Sequence, residues 1–343
     1  MNKKVLLVIM VVGLYIAIQE ILLSINPPPE PQFYDESEIG FKIMYEKSDN
    51  LILAYQYKPN FTTEYRPYLQ TNSFRIRDYE YSLKKPINTF RIAVLGDSIT
   101  ASIDLPLNKT YPKLLEQALK SSEEQIEVIN FGIDGYSSIQ EYELLKQKVY
   151  AFEPNMIIIQ FFLNDLVHSP RPLRYFVNES EEYKSREKMI SASLSVKCKL
   201  KNYFKNTNFI KYSKTINLIK NAFLRNEDYF HSISRNNCYW ERINYAYKGI
   251  LEITEENNMT LFVVVYPALE NFQDYQFIDI HKKIGNILDE NNIEYIDLLL
   301  EFSKYPASQL RIKPEDTIHP NELGHKIAAE AIYQKLVEDE ALN

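Results

Sequence analysis

The stretch Arg91-Ile92-Ala93-Val94-Leu95-Gly96-Asp97-Ser98-Ile99-Thr100 decides the fold. Residues 92–95 are a short apolar run that stops at a glycine, the form of a parallel strand buried on both faces. Working outward, residues 111–120 carry Leu114, Leu115, Ala118 and Leu119 at helical spacing. The spacing predicts further strands over 126–129, 156–163, 261–266 and 295–298. All four are of strand length; 156–163 is apolar except for Gln160, and 126–129 and 295–298 each hold one acidic residue. Helices are expected over 140–150, 239–257, 277–291 and 322–337. Strands that alternate with helices imply an α/β domain, with five parallel strands in a sheet covered on both faces by right-handed crossovers.

Around this regular part lie three irregular ones, and the division expected is 1–29, 30–88 and 89–343. Lys3 and Lys4 precede an apolar run over 5–25 that is interrupted only by Gln19 and Glu20. That run is long enough to span a bilayer, and the two lysines favour a cytoplasmic amino end. We read 1–29 as an uncleaved single-pass anchor and a spacer containing Pro27, Pro28 and Pro29, with the remaining chain extracytoplasmic. A cleaved signal peptide is the rival, but no small-x-small site follows the run. Residues 30–88 are tyrosine-rich and irregular, with short alternating stretches such as 51–57, and are read as a lead-in with a few strands packed on the main domain. Residues 170–236 form an insert, far longer than an ordinary connection, with helical periodicity over 189–204 and 209–224. It holds 14 Lys and Arg against 6 Asp and Glu, in a chain whose net charge is -7. A solvated helical flap explains this composition, and so does a lid facing anionic headgroups or an anionic polymer.

Composition excludes several classes. Hydrophobic residues at 45% and charged residues at 25% are those of a folded globular chain, not of a disordered one or a polytopic membrane protein. The negative net charge argues against a nucleic-acid partner. Cys198 and Cys238 are too few for a four-thiolate metal site, and an exported location would allow them to pair. Five scattered histidines show no metal-ligand spacing, so no metal and no cofactor are expected. His168, His231, His281 and His325 are read as surface or packing residues, and Trp240 as core.

The chemistry is carried where open parallel sheets bind ligands, beyond the carboxyl ends of the strands. Gly96-Asp97-Ser98 follows the first strand, the segment from Asn130 to Gly135 the second, and Asn164-Asp165 the third; Asp316-Thr317-Ile318-His319 precedes the last helix. Acyl transfer needs a hydroxyl, a base to take its proton, an acid to orient the base, and donors for the developing oxyanion. Ser98, His319 and Asp316 fill the first three roles. The amides of Ser98 and Gly135 and the side chain of Asn164 fill the fourth. Asp97 and Asp165 are read as structural, bonding loop amides.

Taken together, these four blocks resemble the SGNH, or GDSL, hydrolase family, over about 240 residues from Arg91 to the last helix. The resemblance implies a flavodoxin-like three-layer α/β/α sandwich and a Ser98–His319–Asp316 triad. It also implies an oxyanion hole of Ser98, Gly135 and Asn164. One departure is Phe162, where the third block usually has glycine; it is expected to narrow the floor of the site or push a neighbouring strand. Two other folds fit less well. An α/β-hydrolase elbow would have glycine where Thr100 stands, and a phosphate-binding loop would need more glycines than Gly96. The function expected is a membrane-anchored serine esterase acting on O-acyl, above all O-acetyl, groups of a surface glycan, with lipid esters second. An O-acyltransferase would use the same residues. A non-catalytic glycan-binding module is the alternative from another class.

Overall fold

The computed structural model describes residues 36–120, 125–166, 181–191 and 229–338, together with Phe176, Leu194, Ser195 and Cys198. The expected anchor and spacer, residues 1–29, lie outside the described residues. So do His168 and most of the insert. Among the described residues no helix is long and apolar enough to cross a membrane.

The sheet contains β3 (Thr89–Leu95), β4 (Gln125–Asn130), β5 (Met156–Phe161), β6 (Thr260–Val265) and β7 (Glu294–Asp297). Its order is β4-β3-β5-β6-β7 and every pairing is parallel. The order reverses next to β3, which places the switch point, and hence a ligand crevice, at the carboxyl ends of β3, β4 and β5. All six residues of β5 are buried, the physical origin of its unbroken apolar run. Helices α3 (Tyr111–Leu119) and α10 (Glu322–Glu338) pack together, as do α4 (Ser138–Gln147) and α7 (Asn237–Glu256). With α8 (Ile278–Glu290) and the single turn α9 (Leu299–Phe302) they complete the three layers.

The structure ends β5 at Phe161, two residues short of the expected strand, because the chain turns into a 3-10 segment over Leu163–Leu166. Phe162 at this corner does not line the site. It is fully buried, with its ring edge-on to Phe230 at 5.6 Å, and Phe230 in turn meets Phe277 at 5.5 Å. The aromatic cluster has taken up the volume that was expected to narrow the floor. Phe230 lies in the short helix α6 (Tyr229–Ser234). Another part of the insert, α5 (Glu181–Ser191), bonds back to the lead-in through Arg186, whose Nη2 donates to the Ile52 carbonyl at 2.9 Å. A Cys198–Cys238 disulfide ties the insert to α7.

The lead-in forms α1 (Glu36–Met44) and an antiparallel pair, β1 (Tyr45–Lys47) and β2 (Tyr55–Tyr57). Three of its tyrosines are core residues: Tyr45, Tyr55 and Tyr57 are buried, and Tyr45 stacks on Tyr57 at 4.7 Å. Arg77 is fully buried and donates to the Ala101 carbonyl at 2.9 Å. Asp78 accepts from the Asn130 amide at 2.7 Å and pairs with Lys113 at 3.0 Å. A buried charge is tolerated only with such partners. The lead-in therefore grips the loops after β3 and β4 through polar contacts.

Candidate active site

A cleft of about 360 Å³ opens at the switch point, lined by Ser98, Gly135, Asn164 and His319 among others. Each comes from a different loop. Ser98 begins α2 (Ser98–Ala101), a single turn placed directly after β3. Asp97 caps it by accepting from the Ile99 amide at 2.8 Å. Gly96 is required just before: a β-carbon there would lie 2.2 Å from the Thr100 hydroxyl oxygen and 2.5 Å from Gln160 Oε1. Gln160, the polar exception in β5, uses Oε1 to accept from Thr100 Oγ1 at 2.9 Å and from the Asp97 amide at 3.2 Å. The third strand thus fixes the turn that follows the first.

His319 Nε2 lies 2.9 Å from Ser98 Oγ, and His319 Nδ1 lies 2.8 Å from Asp316 Oδ2. The other carboxylate oxygen, Asp316 Oδ1, accepts from the amides of Ile318 and His319, both at 2.9 Å. A three-residue spacing lets one carboxylate bond both the backbone and the ring of the histidine. Burial by itself would push Asp316 up, but the bonds and charge of His319 outweigh it and hold the carboxylate down to about 2. For His319 burial acts downward; the bond and charge of Asp316, then the charges of Asp97 and Asp134, reverse it, so the imidazole is held above its ordinary 6.5.

Gly135 sits across the cleft with φ 72°, the left-handed region that favours glycine. Asn164 Nδ2 donates one hydrogen bond to Asp97 Oδ2 at 2.8 Å, which fixes the amide and leaves its second N–H available. The Ser98 amide belongs to the first turn of α2, where amides have no partner within the helix. The structure thus brings Ser98, Gly135, Asn164 and His319 to one cleft, with Asp316 bonded to the His319 ring. Asp97 and Asp165 bond loop amides: Asp165 accepts from the Phe162 amide at 2.8 Å. Burial holds both of these carboxyls above their ordinary range.

Sequence reasoning missed part of the wall. Phe41 and Arg66 of the lead-in line the cleft, and Arg66 pairs with Asp104 across it. Asp134, beside Gly135, accepts from the Tyr45 hydroxyl at 2.7 Å. His325 also reaches the lining; it bonds Ser102 Oγ at 3.0 Å and accepts from the Tyr111 amide at 3.1 Å. Burial lowers His325 to about 3, so it stands neutral beside the cleft. No periodicity marks these positions. Among the described residues, no group of three His, Cys, Asp or Glu is placed to hold a metal ion.

The chain is similar in part to several known proteins. An arylesterase of Vibrio mimicus is 32% identical over 75 residues, a match that spans 22% of this chain and 38% of that protein. Among solved structures, the acetylxylan esterase Axe2 from Geobacillus stearothermophilus is 17% identical with a TM-score of 0.44, over 72% of this chain and 94% of that one. LAE5, an alpha/beta hydrolase enzyme from the metagenome of Lake Arreo, is 16% identical with a TM-score of 0.45, over 74% and 96%. The family model for GDSL-like lipase/acylhydrolase matches residues 92–332, which is most of the chain. The protein belongs to the GDSL-like lipase/acylhydrolase family of hydrolytic enzymes.

Proposed function

We propose that this protein is a serine esterase that removes O-acyl groups, acetyl above all, from a surface glycan. The observation that carries the reading is the unbroken line Asp316–His319–Ser98 opening on a cleft with amide donors opposite. Ser98 Oγ attacks the acyl carbon while His319 Nε2 takes its proton. Asp316 holds the ring and stabilises the imidazolium. The carbonyl oxygen becomes an oxyanion bonded by the amides of Ser98 and Gly135 and by Asn164. His319 then gives its proton to the leaving sugar oxygen, and an acyl-Ser98 ester remains. Water then attacks the acyl carbon as His319 takes one of its protons, and His319 returns that proton to Ser98 Oγ as the bond to serine breaks and the acid leaves.

The catalytic domain is placed outside the cytoplasm, held by residues 5–25 as a membrane anchor. The Cys198–Cys238 disulfide supports this reading, since such bonds persist in oxidising compartments. An O-acyltransferase is the second reading: a cleft open enough for a glycan hydroxyl would let it replace water in the second half-reaction. A non-catalytic module has no use for an imidazole bonded to both Ser98 and Asp316.

The test begins with an aryl acetate reporter and a fluorophosphonate probe. Ser98 is the residue expected to carry the label on mass mapping, and modification elsewhere with turnover intact would sink the assignment. Product analysis with an oligosaccharide acceptor then separates the two reactions. Acyl transfer outrunning hydrolysis would make the second reading the right one.

A further inference from the structure

The loop carrying Gly135 is held from behind by a segment that lies outside the family match. The Tyr136 amide donates to the Ile133 carbonyl at 3.1 Å, closing a four-residue turn over 133–136. Its third residue, Gly135, has φ 72°, whereas Asp134 is not among the residues of positive φ. That pattern is a type II turn. Types I and II differ in the orientation of one peptide unit, the one joining the second and third residues. Here that unit runs from the Asp134 carbonyl to the Gly135 amide. Glycine tolerates either orientation, so the choice needs another group.

Tyr55 supplies it. Its hydroxyl donates to the Asp134 carbonyl at 2.7 Å, across 79 residues of sequence. Tyr55 is fully buried behind the turn. A trans peptide is planar with its carbonyl and amide pointing oppositely, so the Gly135 N–H faces away from Tyr55, and Gly135 lines the cleft. A hydrogen bond accepted by the carbonyl also polarises the unit and strengthens its amide as a donor. Tyr55 is itself fixed: its backbone carbonyl accepts from the Tyr136 hydroxyl, and its ring meets Tyr136 edge-on at 5.3 Å and Phe176 flat at 5.8 Å.

We propose that Tyr55 is a positioning residue for the oxyanion site, holding the Asp134–Gly135 peptide so that its amide faces the acyl oxygen. The inference rests on the esterase reading, because an oxyanion must form for the amide to matter. It gives the lead-in a function: the hydrolase domain carries the donor, and the lead-in sets its direction.

Tyr55→Phe tests it. Turnover is taken per site titrated with the fluorophosphonate, so unfolded chains are not counted. Losing a whole oxyanion donor costs about 10²–10³-fold, and losing only its orientation should cost about tenfold to hundredfold in kcat, with KM within about twofold. Affinity for a reversible tetrahedral mimic, a trifluoromethyl ketone, should fall by the same factor as kcat/KM. A merely structural tyrosine would lower the titratable sites or the thermal midpoint and leave both per-site quantities alone. Para-aminophenylalanine at position 55 keeps ring and donor and should restore the rate. Tyr57→Phe removes a hydroxyl from the same two-stranded sheet that bonds no part of the turn, and should keep the native kcat. Native kcat and native mimic affinity in Tyr55→Phe would overturn the proposal. If that variant does not fold, para-fluorophenylalanine at position 55 fills the space without donating, and the same two readouts decide. A wild-type protein that turns over no ester would remove the esterase reading first. An active wild type with an indifferent Tyr55→Phe removes this inference alone.

Discussion

Among the described residues the line carboxylate–imidazole–hydroxyl occurs twice. Asp316, His319 and Ser98 stand at 2.8 and 2.9 Å, and Asp297, His281 and Tyr275 at 2.8 and 3.1 Å. Distances do not separate them, but surroundings do. The His319 side chain is 37% exposed, that of His281 1%. Ser98 opens on a cleft with Gly135 and Asn164 opposite. The Tyr275 hydroxyl is already occupied, accepting from the Ala268 amide at 2.8 Å while it meets His281. The second line is a strut that fastens the loop after β6 to the end of β7 and to α8. An aligned trio becomes a site only with an accessible nucleophile and unoccupied donors for the charge that develops.

The sharpest way to break this comparison is to remove each imidazole. His319→Ala should cut kcat by more than about 10³-fold, because the Ser98 proton then has no acceptor. His281→Ala should leave kcat per titrated site within about twofold and cost about 1–3 kcal/mol of stability in urea titration, since it strips a buried bonding pair. Equal loss of per-site rate in both variants would erase the distinction drawn here.

A smaller effect is expected from the two carboxylates. Asp316→Asn should lower kcat by about 10²–10⁴-fold, whereas Asp297→Asn should act only on stability. The pH profile sharpens the point. Protonated His319 cannot take the Ser98 proton, and Asp316 holds its pKa above 6.5, so kcat/KM should rise with pH through a midpoint above 6.5. In Asp316→Asn that midpoint should move down, because the largest upward cause is gone. A midpoint unmoved by the substitution would show that Asp316 does not set the base.

The smallest effect concerns carboxyls packed near the first line that have no counterpart beside the second. Glu141 is fully buried, and neither of its carboxyl oxygens has a hydrogen-bond partner. Burial, then the charge of Asp97, holds it well above 4.5. An acid with a raised folded pKa contributes stability below its unfolded value and loses it as pH rises. Glu141→Gln keeps the shape without the ionisation, so its stability relative to wild type should grow with pH, with kcat unchanged. A gap that stays constant as the pH rises from below 4.5 to well above it would mean Glu141 does not titrate as described.

The legible part of the site was the part made of local geometry. A short apolar strand ended by a small residue announces a ligand-facing loop, and Asp316 and His319 lie close enough in sequence to meet within one turn of chain. The apolar runs in β3, β5 and β6 could be read because strands buried on both faces lose their polar residues, whereas the edge strands β4 and β7 keep Glu127 and Asp297 and showed in the alternation with helices. Phe162 misled the reading because sequence gives a side chain's size but not its direction, and it points into the Phe230 cluster. Alternation over 51–57 pointed to a strand in the lead-in, but three-residue strands are too short to show what Tyr45 and Tyr55 bond.

Sequence by itself determined the layered α/β architecture, the four loops that carry polar residues and the residue types able to transfer an acyl group. The physical reason is that burial on both faces of a sheet and bonding within one turn write short-range patterns into the chain. Long-range packing alone decided that Asp297, His281 and Tyr275 form a second, closed line, where Phe162 goes, and that Tyr55 reaches the peptide before Gly135. Those contacts join segments far apart in the chain, and a hydroxyl that must meet one carbonyl leaves no periodic trace along the sequence.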